Sequence, residues 1–254
     1  LRLSRKSNAV AQLHAVTANK MWMDVKNRSE IIGITNAIHT PTWVDNRVLK
    51  AAGDSTQLIW RLHQENKRKL IDFVRERTGV KLSPTALLLG FSRRAVPYKR
   101  SDFIFRDKSK VDKLFKSGKL QIIFSGKAHP LDDGGKRIVS NIVSLTKKYP
   151  NSVVFLENYD MTIGSMLVRG TDVWLNNPRR PQEASGTSGM KAAMNGVLNL
   201  SILDGWWPEA CQHGINGWQI GDGYENKNEQ KLDAHDQKAL YNVLLTEVLP
   251  TYYT

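Results

Sequence analysis

Asp172-Val173-Trp174-Leu175-Asn176-Asn177-Pro178, followed a few residues later by Glu183-Ala184-Ser185-Gly186-Thr187-Ser188-Gly189-Met190-Lys191, decides how the chain is read. A short apolar run breaks at Asn and Pro, passes through a loop of small residues, and enters a stretch that predicts a helix over 188–195. Small residues let a backbone approach a ligand closely, and exposed N–H groups at a helix start attract anions. Ser185 or Thr187 could serve as a plain helix cap. A cap, however, needs one such residue and not an acid, a run of small residues and a lysine. The segment reads as an anion or cofactor loop.

The same strand-to-helix alternation spreads outward from it. Apolar runs at 86–91, 120–124, 153–156, 172–175 and 197–201 are short and bounded by Gly, Asn, Ser or Pro, as buried parallel strands tend to be. Between them, 136–148 carries Ile138, Ile142, Val143 and Leu145 at helical spacing, and 160–168 predicts a shorter helix. Strands alternating with helices predict an α/β fold built on a doubly wound, Rossmann-like parallel sheet. Ligands in such sheets bind beyond the carboxyl ends of the strands. Residues 1–50 differ, with a predicted helix over 14–25 and a turn-rich segment over 35–43. They are read as a hinge or bridging segment, and 51–254 as the Rossmann-like domain. That domain opens with a long amphipathic helix over 56–77 and closes with another over 234–249.

Three more loops occupy strand ends. Gly90 to Arg100 holds Arg93, Arg94, Lys99 and Arg100, whose mutual repulsion calls for a compensating anion unless the turn is simply solvated. Glu157-Asn158-Tyr159-Asp160 offers a tyrosine able to stack on a planar ring or to pack at the junction. Gly126 to Pro130 contains His129, read as a polar loop residue.

Composition narrows the function. The 254 residues are 41% hydrophobic and 24% charged, ordinary for a globular protein. No run approaches the roughly 20 apolar residues of a membrane span. The opening Leu1-Arg2-Leu3-Ser4-Arg5-Lys6 lacks a signal-peptide pattern, and the absence of an initiating Met leads us to expect a fragment. One cysteine, Cys211, excludes an internal disulfide and a cysteine-cluster zinc site, and a cytoplasmic location is expected. The net charge of +13 favours anionic partners. Specific nucleic-acid binding would need a groove-reading or stacking element among the basic residues, and none is found.

Taken together, these segments resemble the α-glucan phosphorylases, the glycogen, starch and maltodextrin enzymes. The likeness runs from Asn8-Ala9-Val10-Ala11-Gln12-Leu13-His14 to Asn216-Gly217-Trp218. It rests on Glu183 to Lys191 with Asn195-Gly196, and on Thr35-Asn36, Arg94 to Lys99 and Glu157-Asn158-Tyr159 in the expected order. The resemblance implies one half of a two-domain GT-B glycosyltransferase, namely the half that carries pyridoxal 5'-phosphate. Lys191 would form the Schiff base, Thr187 and Arg93 would help hold the cofactor phosphate, and Tyr159 and Trp43 would pack near its ring. Arg94 and Lys99 would bind the substrate phosphate, while Glu183, Ser185, Gly186 and Asn36 would contact the glucosyl unit. The reaction implied is attack of inorganic phosphate on the terminal α-1,4-glucosyl residue of an α-glucan, releasing glucose 1-phosphate with retention. The clustered cations are also expected to disfavour the protonated form of Lys191.

Two departures stand out: Asp160 where the long-chain enzymes carry arginine, and Val96-Pro97 where they have a histidine and an acid. No counterpart of the amino-terminal domain is found, so the chain alone is expected to fold with little or no activity. A nucleotide-sugar glycosyltransferase of the glycogen-synthase kind is the alternative, disfavoured by Lys191 in its Glu-Ala-Ser-Gly-Thr context.

Overall fold

The computed structural model describes residues 1–254 except Arg2, from the opening hexapeptide, and Asp54. The chain begins with a small unit: strand β1 (Ser7–Ala9), helix α1 (Gln12–Met21) and strand β2 (Ile31–Gly33), the two strands pairing in parallel. Short helices α2 (Thr40–Trp43) and α3 (Asn46–Ala51) lead into the long α4 (Thr56–Thr78). Ser55 caps α4 by accepting from the Leu58 N–H, and Gly79 ends it in the left-handed region at φ +74°.

The rest is a six-stranded parallel sheet. Its elements are β3 (Leu87–Ser92), α5 (Lys108–Lys116), β4 (Leu120–Ser125), α6 (Asp133–Lys148), β5 (Val153–Leu156) and α7 (Met161–Gly170). They continue through β6 (Val173–Asn176), α8 (Thr187–Ala193), β7 (Leu198–Ile202), α9 (Trp207–Ala210), β8 (Gly217–Ile220), α10 (Glu229–Val243) and, after a π turn, α11 (Leu249–Tyr253). The strand order is β5-β4-β3-β6-β7-β8. The chain therefore winds outward from β3 in one direction, then returns to β6 and winds in the other. The crevice between β3 and β6 is the switch point where such sheets bind ligands.

Alternation along the strands splits the core in two. Leu87, Leu89 and Phe91 of β3 join Ile122 and Phe124 of β4 on one face, against Val111 and Phe115 of α5 and Leu240 of α10. Leu88, Ile123, Val154 and Trp174 face the other way, onto Leu70 and Val74 of α4 and Leu167 of α7. The expected apolar runs are thus buried on both sides, as parallel strands require. At the amino end of the sheet, Asp172 accepts from Lys67 Nζ at 2.6 Å, His63 Nε2 at 2.9 Å and the Leu88 N–H at 2.8 Å. Lys67 is fully buried, and Tyr252 of α11 completes its partners at 2.8 Å.

The observed elements correct several sequence readings. The β8 strand was not expected, nor was the β1–β2 pair. The predicted 14–25 helix ends at Met21, and the turn-rich 35–43 segment contains α2. The final helix starts earlier, at Glu229, and is broken by the π turn over Leu244–Val248 before Pro250. Among the described residues, no helix is long and apolar enough to cross a membrane.

Candidate active site

The loops singled out in the sequence converge at the carboxyl ends of the strands, over the β3–β6 crevice. Arg93 follows β3 directly and is 9% exposed. Its guanidinium donates to the Asn176 side chain at the end of β6 and to Glu183 Oε2 at 3.0 Å. Asn176 in turn donates to Ser201 Oγ of β7 at 2.9 Å, so polar residues near the ends of two strands, β6 and β7, seat the guanidinium. Lys99 Nζ reaches the same Glu183 carboxylate at 3.2 Å. Glu183, 8% exposed, is thus the anion that compensates the basic turn.

Charges around Lys99 act in opposition. Burial and the neighbouring Arg93 lower its pKa to about 8; Glu183 pushes it back up, and Arg94 lowers it further. Arg94 itself is exposed and has no side-chain hydrogen bond to any other of the described residues. Arg100, counted with these cations in the sequence, belongs elsewhere. It is 1% exposed, donates to the Asn177 and Pro178 carbonyls, and pairs with Asp233 and Asp236 of α10 at 2.8 and 2.7 Å. Its role is to pin the start of the loop after β6, and the anion-seeking cations are three, not four.

The small-residue loop is held from behind by the turn after β7. Asp204, 1% exposed, accepts the Glu183 N–H and the Gly205 N–H, each at 2.9 Å. Burial raises its carboxyl to about 7, against the pull of those two N–H groups. Gly205, at φ +60°, lies so close to the Ser185 backbone that any side chain there would collide with it, and Trp206 N–H donates to the Ser185 carbonyl at 2.9 Å. Ser185 is not a cap. Its hydroxyl is buried without a partner, while Gly186, at φ +87°, occupies the cap position of α8. Because α8 has only seven residues, the cations contribute more positive potential here than its N-terminus does.

A second cluster gathers one turn along α8. Lys191 Nζ lies 3.4 Å from the centre of the Trp43 ring. Its pKa is lowered by burial; the nearby cations expected to do this are not the cause. Tyr159 and Trp43 close around Gly164 of α7, where a Cβ would meet the Tyr159 hydroxyl at 2.7 Å and the Trp43 ring at 3.4 Å. The tryptophan segment is clamped from two sides. Arg169 donates to the Thr42, Trp43 and Val44 carbonyls. Fully buried Asn195 donates to the Trp43 and Lys191 carbonyls and accepts from the Asp45 N–H. Thr187, one helical turn before Lys191, shares its face of α8. Asp160 caps α7 by accepting from the Ile163 N–H at 2.8 Å, a structural role that fits its departure from arginine.

The fit to a planar, phosphorylated cofactor with an aldehyde is good. An amine of lowered pKa sits against the Trp43 ring, Tyr159 stands beside that ring at Gly164, and a buried hydroxyl with no partner among the described residues lies on the adjoining loop with the cations at its other end. Asn36 is the exception among the expected residues: it is exposed, bonded through its backbone to the Val10 carbonyl, and not to the 183–191 loop. Arg169, Asp204 and Gly164 escaped the sequence reading, and Asn195 entered it only within the Asn195-Gly196 motif, because each acts through contacts with residues distant in the chain. The Asn195-Gly196 and Asp204-Gly205 pairs were the available signals. Cavities of about 1070 and 820 Å³ lie away from these residues.

The sequence profile described as carbohydrate phosphorylase matches residues 9–237. The chain is 38% identical to the maltodextrin phosphorylase of Thermococcus litoralis, over 100% of this chain and 36% of that protein. It is 39% identical to the glycogen phosphorylase of Aquifex aeolicus, over 100% of this chain and 42% of that protein. Against the cytosolic alpha-glucan phosphorylase 2 of Arabidopsis thaliana it is 29% identical over 68% of this chain. The chain therefore spans well under half the length of these relatives.

Proposed function

The chain belongs to the carbohydrate phosphorylase family, and on that premise we propose that it is the cofactor-carrying half of an α-glucan phosphorylase. The observation that carries the reading is Lys191 lodged against Trp43 on the same short helix whose entry loop presents Glu183 to Arg93 and Lys99. The whole enzyme would phosphorolyse terminal α-1,4-glucosyl residues of an α-glucan with retention, giving glucose 1-phosphate.

Lys191 would anchor the aldehyde of pyridoxal phosphate, with Trp43 and Tyr159 along the ring and Thr187 and Arg93 toward the phosphate. When bound, the cofactor supplies a phosphate that donates and accepts a proton beside the substrate. The protein's own task is electrostatic. Arg93, Arg94 and Lys99 would hold two phosphates against their mutual repulsion, and Glu183 would give up part of its hold on these cations as phosphate arrives. At neutral pH a Lys99 titrating at about 8 is mostly charged, and an incoming dianion secures that charge. Ser185 and Gly186 offer the sugar a free hydroxyl and an uncrowded backbone. Asn36 would join them only if its segment is carried to the loop when the site closes.

A glycosyl transfer needs water kept from its site, and the chain covers only 36% and 42% of two of its relatives, so the isolated chain is expected to bind cofactor and turn over little or no glucan. The test is incubation with pyridoxal phosphate, borohydride reduction and peptide mapping. One adduct at Lys191, lost in Lys191→Ala, is expected. Scattered adducts on surface lysines, with binding of a uridine diphosphate sugar instead, would move the assignment to a nucleotide-sugar transferase.

A further inference from the structure

Four strands of the large sheet end in a row of polar side chains on one face. Ser92 of β3 pairs in register with Ser125 of β4, and Asn176 of β6 with Ser201 of β7. Gly90 pairs with Trp174, so two residues further along these parallel strands Ser92 and Asn176 come side by side. Alternation puts the row on the face of Leu88, Ile123 and Trp174, where Trp43, Tyr159 and Ala192 of α8 also pack. All four residues are at most 5% exposed, and polar groups buried this deeply cost free energy unless hydrogen-bonded. Three of them are bonded. Ser125 Oγ donates to the Leu156 carbonyl at 2.7 Å, and Ser201 Oγ to the Ile202 carbonyl at 2.8 Å. Asn176 donates to Ser201 and accepts from Arg93. Ser92 is the exception: its hydroxyl is buried with no partner among the described residues.

The surroundings of this hydroxyl point to an anion. Ser92 directly precedes Arg93, whose guanidinium spans from Asn176, the neighbour of Ser92 in the row, to Glu183. The same guanidinium reaches the entry of α8, where a Cβ on Gly186 would stand 3.8 Å from Arg93 Nη2. Thr187 and Lys191 follow on that helix. An anion that draws Arg93 away from Glu183 therefore arrives between the row and the start of α8. Ser125 shows how a serine at this depth settles when its work is structural, with its proton on a carbonyl of the adjacent strand. Alanine in place of Ser92 would avoid the cost of an unpaired hydroxyl altogether. A lone donor beside a cation fits a phosphate, which offers several acceptor oxygens and forms short, strong bonds to such donors.

Resting on the proposed function, we propose that the Ser92 hydroxyl donates to the phosphate of pyridoxal phosphate, beside Arg93. The cofactor is then held at its two ends by different chemistry. Lys191 and the Trp43 and Tyr159 rings take the aldehyde and the pyridine ring, while Thr187, Arg93 and Ser92 take the phosphate. Ser92 fixes where that phosphate stands on the sheet, and so leaves Arg94 and Lys99 to the substrate phosphate. The unpaired hydroxyl costs the cofactor-free protein some stability and contributes affinity once an anion accepts from it.

The test measures dissociation constants of pyridoxal phosphate, and of pyridoxal, which lacks the phosphate, for the wild-type chain, Ser92→Ala and Ser125→Ala. Melting midpoints are read without ligand. Ser92→Ala is expected to weaken pyridoxal phosphate by about tenfold or more, as for a bond to a charged acceptor, and to leave pyridoxal unchanged. Its midpoint should equal or exceed that of the wild type. Ser125→Ala, which strips a paired hydroxyl from the same row, should lower the midpoint and leave the preference for pyridoxal phosphate intact. The proposal is overturned if Ser92→Ala weakens both ligands equally, or neither, or if it lowers the midpoint as Ser125→Ala does. A wild-type chain that takes no borohydride-fixed label at Lys191 counts instead against the proposed function. Inorganic phosphate, titrated on the same chains, then decides the Ser92 site: binding about tenfold weaker in Ser92→Ala supports it, and equal binding overturns it.

Discussion

Two parallel sheets share this chain and differ in what closes them. The six strands β3 to β8 carry helices on both faces, and their two cores hold leucine, phenylalanine and tryptophan at nearly zero exposure. The β1–β2 pair has the same ladder geometry, but only one helix and a core of small residues. Hydrogen-bonding pattern is therefore not what makes a parallel sheet self-sufficient. Burial on both faces is, because the hydrophobic contribution scales with apolar area removed from water. The large sheet buries both of its faces within the chain and carries the candidate site on its rim. The small one leaves Ile32 of its outer face exposed.

The sharpest way to break that contrast is to damage the large sheet from inside. Asp172→Ala leaves Lys67 buried without its counterion, and we expect a loss of about 3–5 kcal/mol in urea unfolding. A loss below about 1 kcal/mol would mean that the large domain does not rely on this hub.

A pH series sharpens the comparison at the rim. The folded state raises the Asp204 carboxyl from 3.8 to about 7, so the unfolded chain releases that proton first. Wild-type stability should fall relative to Asp204→Asn by up to about 1.4 kcal/mol per pH unit between pH about 4 and about 7, and run parallel outside that window. Parallel curves throughout would show that Asp204 is ionised in the folded protein.

The smallest effect is expected at the joint between the two sheets. Glu209→Ala removes the acceptor for Gln12 and Thr35, costing about 1 kcal/mol. Exchange should quicken over 7–34 while the midpoint of the large sheet stays put. A matching drop in that midpoint would mean the two units unfold together.

Much of this was legible in the sequence. Runs such as Leu87-Leu88-Leu89 and Ile122-Ile123-Phe124 announce strands buried on both faces, and the loops after them fall where the winding rule places ligands. Ser7-Asn8-Ala9 has no apolar run, and Gly217-Trp218-Gln219-Ile220 is short and interrupted by Gln219, so β1 and β8 gave no such signal. The basic turn was visible, but not its division: Arg100 is set apart from Arg93 by Asp233 and Asp236 on a helix far along the chain and by the Asn177 and Pro178 carbonyls.

The sequence by itself determined five of the six strands of the large sheet, its double winding, and the loop types at its rim. These follow from local periodicity and turn chemistry, which act over a few residues. Tertiary structure alone decided that Glu183 compensates Arg93 and Lys99, that Asp204 and Arg169 hold the loops, and that β1–β2 remains uncovered. Those outcomes depend on which distant groups meet when the sheet folds, and on which apolar faces find no partner within the chain.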